Sequence, residues 1–309
     1  MADVLRVGVI GAGVFGGYHA QHYAALPGVA LAGVFDVNAA AAAALAGRCG
    51  GEAFPSEAAL IAACDAVSVT TPAIAHAGSA IAALSAGRHV YVEKPLAADP
   101  EDADRIVQLA AQKRLVAATG FLERAALQAM GLFAIPEAPL LLEAVRLGPP
   151  SPRNLDVSVV LDLMIHDLDL AMALSRSEPM AVEADGAALI NPLPDQVEAV
   201  CDFDDGFIAR FKASRVADGL ERTLRVVFPS GEVRVDFLTH AFENTTPFAL
   251  DPDFAQTPAG RDKLGASLAA FAAAARGERA GPLADARDGA RALDLALAVE
   301  QAMAQQGLY

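Results

Sequence analysis

Up to about residue 119, short apolar runs alternate with alanine-rich stretches of helical spacing. Leu5–Ile10 and Val29–Phe35 are β-branched apolar runs of strand length, and Ala66–Thr70, His89–Val92 and Leu115–Thr119 repeat the pattern. Between them, Val14–Leu26 has helical spacing and stops at Pro27-Gly28. Asn38 reads as the N-cap of the next helix. Ile74–Ala86 reads as a helix closed by Gly87, and Asp99 or Asp102 opens another that runs to about Lys113. Strands alternating with helices predict a Rossmann-type, doubly wound parallel sheet covered on both faces, in a domain of residues 1–119.

Past Gly120 the period changes. Leu140–Leu147, Ala181–Leu189, Val197–Phe203, Phe207–Ser214, Leu224–Phe228 and Glu232–Phe237 are strand-like. Asp204-Asp205-Gly206 and Pro229-Ser230-Gly231 supply turns between them. A helix over Leu161–Leu174 interrupts the series, and residues 240–260 read as a long irregular loop. Helices near Leu264–Arg276 and Ala284–Gln305 follow. Residues 120–309 are thus expected to form an α+β domain on an open, mostly antiparallel sheet, with the helix at about 284–305 free to pack back on the first domain. An open sheet leaves an apolar face to cover, so a homodimer or homotetramer through that face is expected.

The chain carries 38 acidic against 23 basic side chains, a net charge of −15, which argues against nucleic acid or an anionic membrane as partner. No apolar run reaches the roughly 20 residues of a membrane span. The start, Met1-Ala2-Asp3-Val4, lacks the blocks of a signal peptide, and a cytoplasmic protein is expected. Cys49, Cys64 and Cys201 lack metal-type spacing and read as buried thiols in a reducing compartment.

Gly11-Ala12-Gly13-Val14-Phe15-Gly16 follows a strand and opens a helix, the context a dinucleotide fingerprint requires. Asp36 ends the second run, about 20 residues beyond Gly16, where an acid accepts from a ribose 2′-OH and repels a 2′-phosphate. That predicts NAD in preference to NADP. Thr70, Thr71 and Pro72 close a strand at the carboxyl edge, either lining the nicotinamide side or making an ordinary turn. His76 lies one turn further on, as a cofactor neighbour or, as for most lone histidines, a structural group. Glu93-Lys94-Pro95 ends another strand of the same domain and puts a lysine where the cofactor would carry its reactive ring.

Asp162 and His166 stand four apart and Asp169 three further on, so a helix would bring them to one face. An acid that fixes a histidine free to take a proton is what general-base catalysis near neutrality needs. Two other readings stay open. The histidine would pair with acids on a solvated face, or the three would ligate a metal, which needs a further convergent group the sequence lacks.

Together, the glycine loop, the block Pro72…His76…Gly87-Arg88-His89-Val90…Glu93-Lys94-Pro95 and the pair Asp162…His166 resemble the glucose–fructose oxidoreductase, inositol dehydrogenase and MocA-like family. Pro152-Arg153-Asn154-Leu155-Asp156-Val157, the run to Asp169, and Gly120-Phe121-Leu122-Glu123-Arg124 look like its branch that oxidises UDP-N-acetylglucosamine at C3. Ala125-Ala126-Leu127 depart from that branch's Phe-Asn-Pro. The resemblance implies an NAD-dependent sugar dehydrogenase with Lys94, Asp162 and His166 catalytic and no metal. Glu93 lies with Lys94 among the expected cofactor contacts. A planar guanidinium suits a diphosphate, so Arg153 and Arg124 are candidates for the UDP portion, the other reading being that Arg153 pairs with Asp156. The competing activities are oxidation of free hexoses, inositols or other polyols, and a non-catalytic NAD-binding regulator on the same fold.

Overall fold

The computed structural model describes residues 4–151, 157–190, 192–279, 281 and 283–305. Two compact units emerge, one of residues 1–125 with 261–290 and one of residues 126–260 with 291–309.

In the first unit β1 (Leu5–Ile10), α1 (Val14–Ala25), β2 (Val29–Phe35), α2 (Ala39–Cys49), β3 (Glu52–Ala53), α3 (Glu57–Ala63), β4 (Ala66–Val69), α4 (Ala73–Ser85), β5 (His89–Val92), α5 (Pro100–Lys113) and β6 (Ala117–Thr119) follow in order. The strands form one parallel sheet ordered β3-β2-β1-β4-β5-β6. β1 and β4 are neighbours at the point where the order reverses, which is where such sheets bind ligands at their carboxyl edge. The core joins Val7, Val9, Tyr23, Val34, Leu45 and Phe271, all buried. The capping chemistry matches the sequence reading: Asn38 accepts from Ala40 and Ala41 N–H, Asp99 accepts from Glu101 N–H, and Gly87 takes φ 78° behind α4. β3 and α3 were not foreseen. Two and seven residues are too short to show a period, and the cap Ser56 is the one local signal for α3.

The second unit opens with α6 (Glu123–Met130), whose first residues belong to the first unit, and β7 (Leu141–Leu147). A π turn over Val160–Met164 leads into α7 (Ile165–Ser175). β8 (Pro179–Ala187), β9 (Gln196–Phe203), β10 (Ile208–Ser214), β11 (Glu221–Phe228), β12 (Gly231–Asp236) and β13 (Phe242–Asn244) come next. The seven strands run β13-β12-β11-β7-β10-β9-β8, antiparallel except for β7 beside β10. The stretch expected to be a loop holds β13, a 3₁₀ turn at Phe254–Gln256 and α8 (Pro258–Arg261), seated by buried Phe254. α9 (Lys263–Ala275) and α10 (Ala286–Gln305) complete the chain.

The open face of the second sheet mixes charged side chains with apolar ones such as Val145 and Val200. Glu143, Glu198, Arg210, Lys212, Arg225 and Arg234 line a groove of about 870 Å³ on it. Lys212 lies 2.7 Å from Glu198, and Arg225 lies 2.6 Å from both Glu143 and Glu232. The alternation buries Leu142, Ala144, Ala199, Phe211 and Leu224 on the other face. Among the described residues no helix is long and apolar enough to cross a membrane.

Candidate active site

The glycine loop has the geometry its residues predict. Gly11 takes φ 103°, which only glycine holds without strain. A Cβ on Gly16 would clash with the Gly11 carbonyl, so only glycine lets α1 pack this close to the turn that follows β1. Gly13 meets nothing within 4 Å on its Cβ side, an open approach for a ligand. It also starts α1, where no side chain caps the first turn, so the backbone N–H groups that bind a diphosphate are not taken by a cap. Val14, Phe15 and Val37 are exposed apolar side chains beside the loop and the end of β2, Val37 to 96%.

Asp36 does more than its spacing suggests. One carboxylate oxygen accepts the Ala12 N–H at 2.7 Å and the other the Asn38 N–H at 2.7 Å. The acid therefore also holds the glycine loop in shape. The Thr70 hydroxyl lies 3.0 Å from the carbonyls of both Ile10 and Gly11, bracing the loop from β4. The Thr71 hydroxyl oxygen is buried and has no hydrogen-bond partner among the described residues, as a group awaiting a ligand would be. These features fit a nicotinamide dinucleotide at this edge.

Glu93, Lys94 and Pro95 follow β5, and the Lys94–Pro95 peptide is cis. Lys94 is half-buried between two buried neighbours. Glu93 turns inward, its carboxylate 3.0 Å from His19 Nε2. His19 Nδ1 lies 3.1 Å from the Ser68 hydroxyl, which is 2.7 Å from the Tyr23 hydroxyl. Burial pushes the Glu93 carboxyl up, but the His19 hydrogen bond and the charges of His19, Lys94 and His76 outweigh it and leave it below its ordinary 4.5. Burial drives the Tyr23 hydroxyl well above its usual range. Sequence reasoning passed over His19. Its signal was a polar residue on the face of α1 that also buries Gly16, Ala20 and Tyr23.

His76 is 2% exposed. Its Nδ1 lies 2.7 Å from the Pro95 carbonyl oxygen and its Nε2 2.8 Å from that of Thr71. Burial pushes the imidazole below its ordinary 6.5, against the upward pull of the two carbonyls and the Glu93 carboxylate.

In the second unit Asp162 lies in the π turn and His166 in the first turn of α7, both half-buried. The π turn shifts the angular relation that two residues four apart have on an α-helix. Asp169 is fully buried, so it does not share the half-exposed setting of His166. Among the described residues no three His, Cys, Asp or Glu side chains are placed to hold a metal. Ser158 caps this segment: its hydroxyl accepts the Leu161 N–H at 3.2 Å and donates to the Glu300 carboxylate. Arg146 on β7 grips Asp167, the neighbour of His166, with two bonds of 3.0 and 2.7 Å, both partners buried. Arg215 bonds the buried Asp195 at 2.7 Å and the Val157 carbonyl at 2.8 Å, fixing the chain just ahead of the π turn. Arg124 lies 2.8 Å from Asp288 within the first unit, and Arg153 lies outside the described residues.

A parallel sheet with a glycine loop, an acid closing its second strand and a lysine at its carboxyl edge defines a dinucleotide-dependent oxidoreductase. Residues 5–121 match the oxidoreductase family with an NAD-binding Rossmann fold, and residues 149–234 match the GFO/IDH/MocA C-terminal domain. The UDP-N-acetylglucosamine 3-dehydrogenase of Acidithiobacillus ferrooxidans is 42% identical, over 76% of this chain and 75% of that one. Its crystal structure superposes with a TM-score of 0.89 at 40% identity, covering 98% of both chains. An inositol 2-dehydrogenase of Saccharopolyspora erythraea is 35% identical over 58% of this chain and 56% of its own length. The chain belongs to the Gfo/Idh/MocA family of NAD-binding oxidoreductases.

Proposed function

We propose that this enzyme oxidises a secondary alcohol of a pyranose ring with NAD, and that its substrate is UDP-N-acetylglucosamine, taken to the 3-keto nucleotide sugar. The observation that carries this reading is the end-to-end likeness to an enzyme named for that reaction. NAD bound at the glycine loop supplies a hydride acceptor. His166 takes the hydroxyl proton as general base, and Asp162 holds the imidazole in the tautomer that can receive it. Lys94 hydrogen-bonds the reacting oxygen and offsets the negative charge that grows on it. Asp36 favours NAD over NADP, and Arg153, with Arg124 beside it in role, meets the diphosphate. Oxidation of an inositol or other polyol is the second reading, favoured by the inositol dehydrogenase relatives. Lys94 and His166 count against a non-catalytic regulator.

The test follows NADH absorbance with UDP-N-acetylglucosamine, free N-acetylglucosamine and myo-inositol. The UDP-linked sugar should be turned over in preference to the free one, and Arg153→Ala should erase the preference. Lys94→Ala and His166→Ala should each lower kcat by roughly 10²–10⁴-fold while NAD still binds. Indifference to the UDP group would leave the polyol reading standing.

A further inference from the structure

We propose that His76 is a positioning residue for Lys94: its imidazole is wedged between the Thr71 and Pro95 carbonyls and hydrogen-bonded to one of them, while the His19–Glu93 pair grips the residue on the other side of Lys94. The inference rests on the reading of Lys94 above and adds to it the groups that hold the lysine still.

A lysine side chain is a flexible four-carbon stem carrying about 2 kcal/mol of rotamer entropy, so its ammonium is placed only as well as its backbone is. Here that backbone is anchored twice. The Glu93 carboxylate is bonded to His19, a group rooted in α1 and bonded in turn to Ser68 on β4. The Pro95 carbonyl sits 2.7 Å from His76 Nδ1. The opposite nitrogen of the same ring sits 2.8 Å from the Thr71 carbonyl, in the turn that ends β4. Both loops stand at the carboxyl edge of adjacent strands, since β4 pairs with β5. One rigid ring thus bridges the two turns that flank the reacting end of the cofactor site. Both ring partners are acceptors, so the neutral ring that burial favours donates to one carbonyl and packs its bare nitrogen against the other, and an apolar side chain of the same size makes no bond at all. Nothing in the ring is left over for a ligand. Both of its hydrogen-bond partners are backbone carbonyls. A displacement of about 1 Å at a reacting group costs on the order of a hundredfold in rate, which sets what the tie is worth.

The experiment compares wild type, His76→Leu, His76→Gln and Lys94→Ala as full chains. It measures kcat, KM for the sugar, NADH binding by calorimetry, and hydrogen–deuterium exchange of the segments 70–76 and 93–97 without substrate. His76→Leu should lower kcat about ten- to hundredfold with KM and NADH affinity within about threefold of wild type. It should also speed exchange in both segments together. His76→Gln, whose amide keeps N–H donors, should recover most of the rate and the protection. A merely structural histidine would lower kcat and NADH binding together, and Gln would not rescue it; that result overturns the proposal. So does a His76→Leu enzyme with kcat within about twofold of wild type while Lys94→Ala is inactive. Unimpaired Lys94→Ala would instead refute the role of Lys94, whereas the exchange data would still report the tie between the turns. If His76→Leu does not fold, His76→Asn, with an amide too short to span both carbonyls, takes its place against His76→Gln.

Discussion

Asp36 is one residue with two tasks. Its carboxylate holds the Ala12 and Asn38 N–H groups, and the reading above gives it the ribose hydroxyls as well. The two tasks separate on substitution. Wild type should bind NAD more tightly than NADP by about 1–3 kcal/mol, the cost of an unpaired acceptor plus the repulsion of a 2′-phosphate. Asp36→Asn keeps one acceptor oxygen, enough for one of the two loop N–H groups, and loses the charge, so it should narrow the preference while still binding NAD, more weakly than wild type. Asp36→Ala also releases the glycine loop and should weaken both cofactors. Calorimetric titration of the three proteins checks this, and equal wild-type affinities for the two cofactors would end the argument. At the same scale, the sequence showed the glycines, Asp36 and Lys94 because each has a fixed chemical reason to stand at a fixed place on a βαβ unit. It did not show His19, which stands on α1 far along the chain from Glu93. Only folding brings the two to 3.0 Å.

The element that matters most in the second unit is the segment from the π turn into α7. α7 is buried nearly all round, its acids included, so the sequence pattern says helix but not which face is inward. Three contacts orient it: the Ser158 cap, the tie from Arg215 to Val157, and the Arg146–Asp167 pair next to His166. Breaking the last should be expensive. Arg146→Met leaves the Asp167 carboxylate buried and uncompensated and should cost about 3–5 kcal/mol. Adding Asp167→Leu should restore a good part of it, because the stranded charge is then gone. Urea unfolding of the two single variants and the double variant gives the coupling. A single variant within about 0.5 kcal/mol of wild type would show that the pair does not anchor the helix.

For the whole molecule, the open face of the second sheet bears on assembly. We propose that the chain forms a homodimer or homotetramer through this face. Its cross-strand pairs, Lys212 with Glu198 and Arg225 with Glu143 and Glu232, offer self-complementary polar contacts around Val145 and Val200. Sedimentation velocity should find a species of two or four chains. Arg225→Glu, which sets a third acid beside Glu143 and Glu232, should shift it toward the monomer. A monomeric wild type at micromolar concentration would remove the proposal.

The sequence by itself determined the parallel sheet apart from β3, its helices apart from α3, their caps, and the shape of the glycine loop. The reason is that period, cap chemistry and glycine geometry act over a few residues. Tertiary structure decided the rest. It ordered the seven strands of the second sheet, whose pairings join residues far apart in the chain. It assigned residues 261–290 to the first unit, where Phe271 enters the core with Tyr23 and Tyr91. It brought Glu143, Glu198, Arg210, Lys212 and Arg225 together with Val145 and Val200 on one open face, since strand alternation tells which residues share a face of one strand but not which strands lie side by side. And it enclosed His76 between two carbonyls, because the partners of a buried polar group are set by the packing of distant turns rather than by its neighbours in the chain.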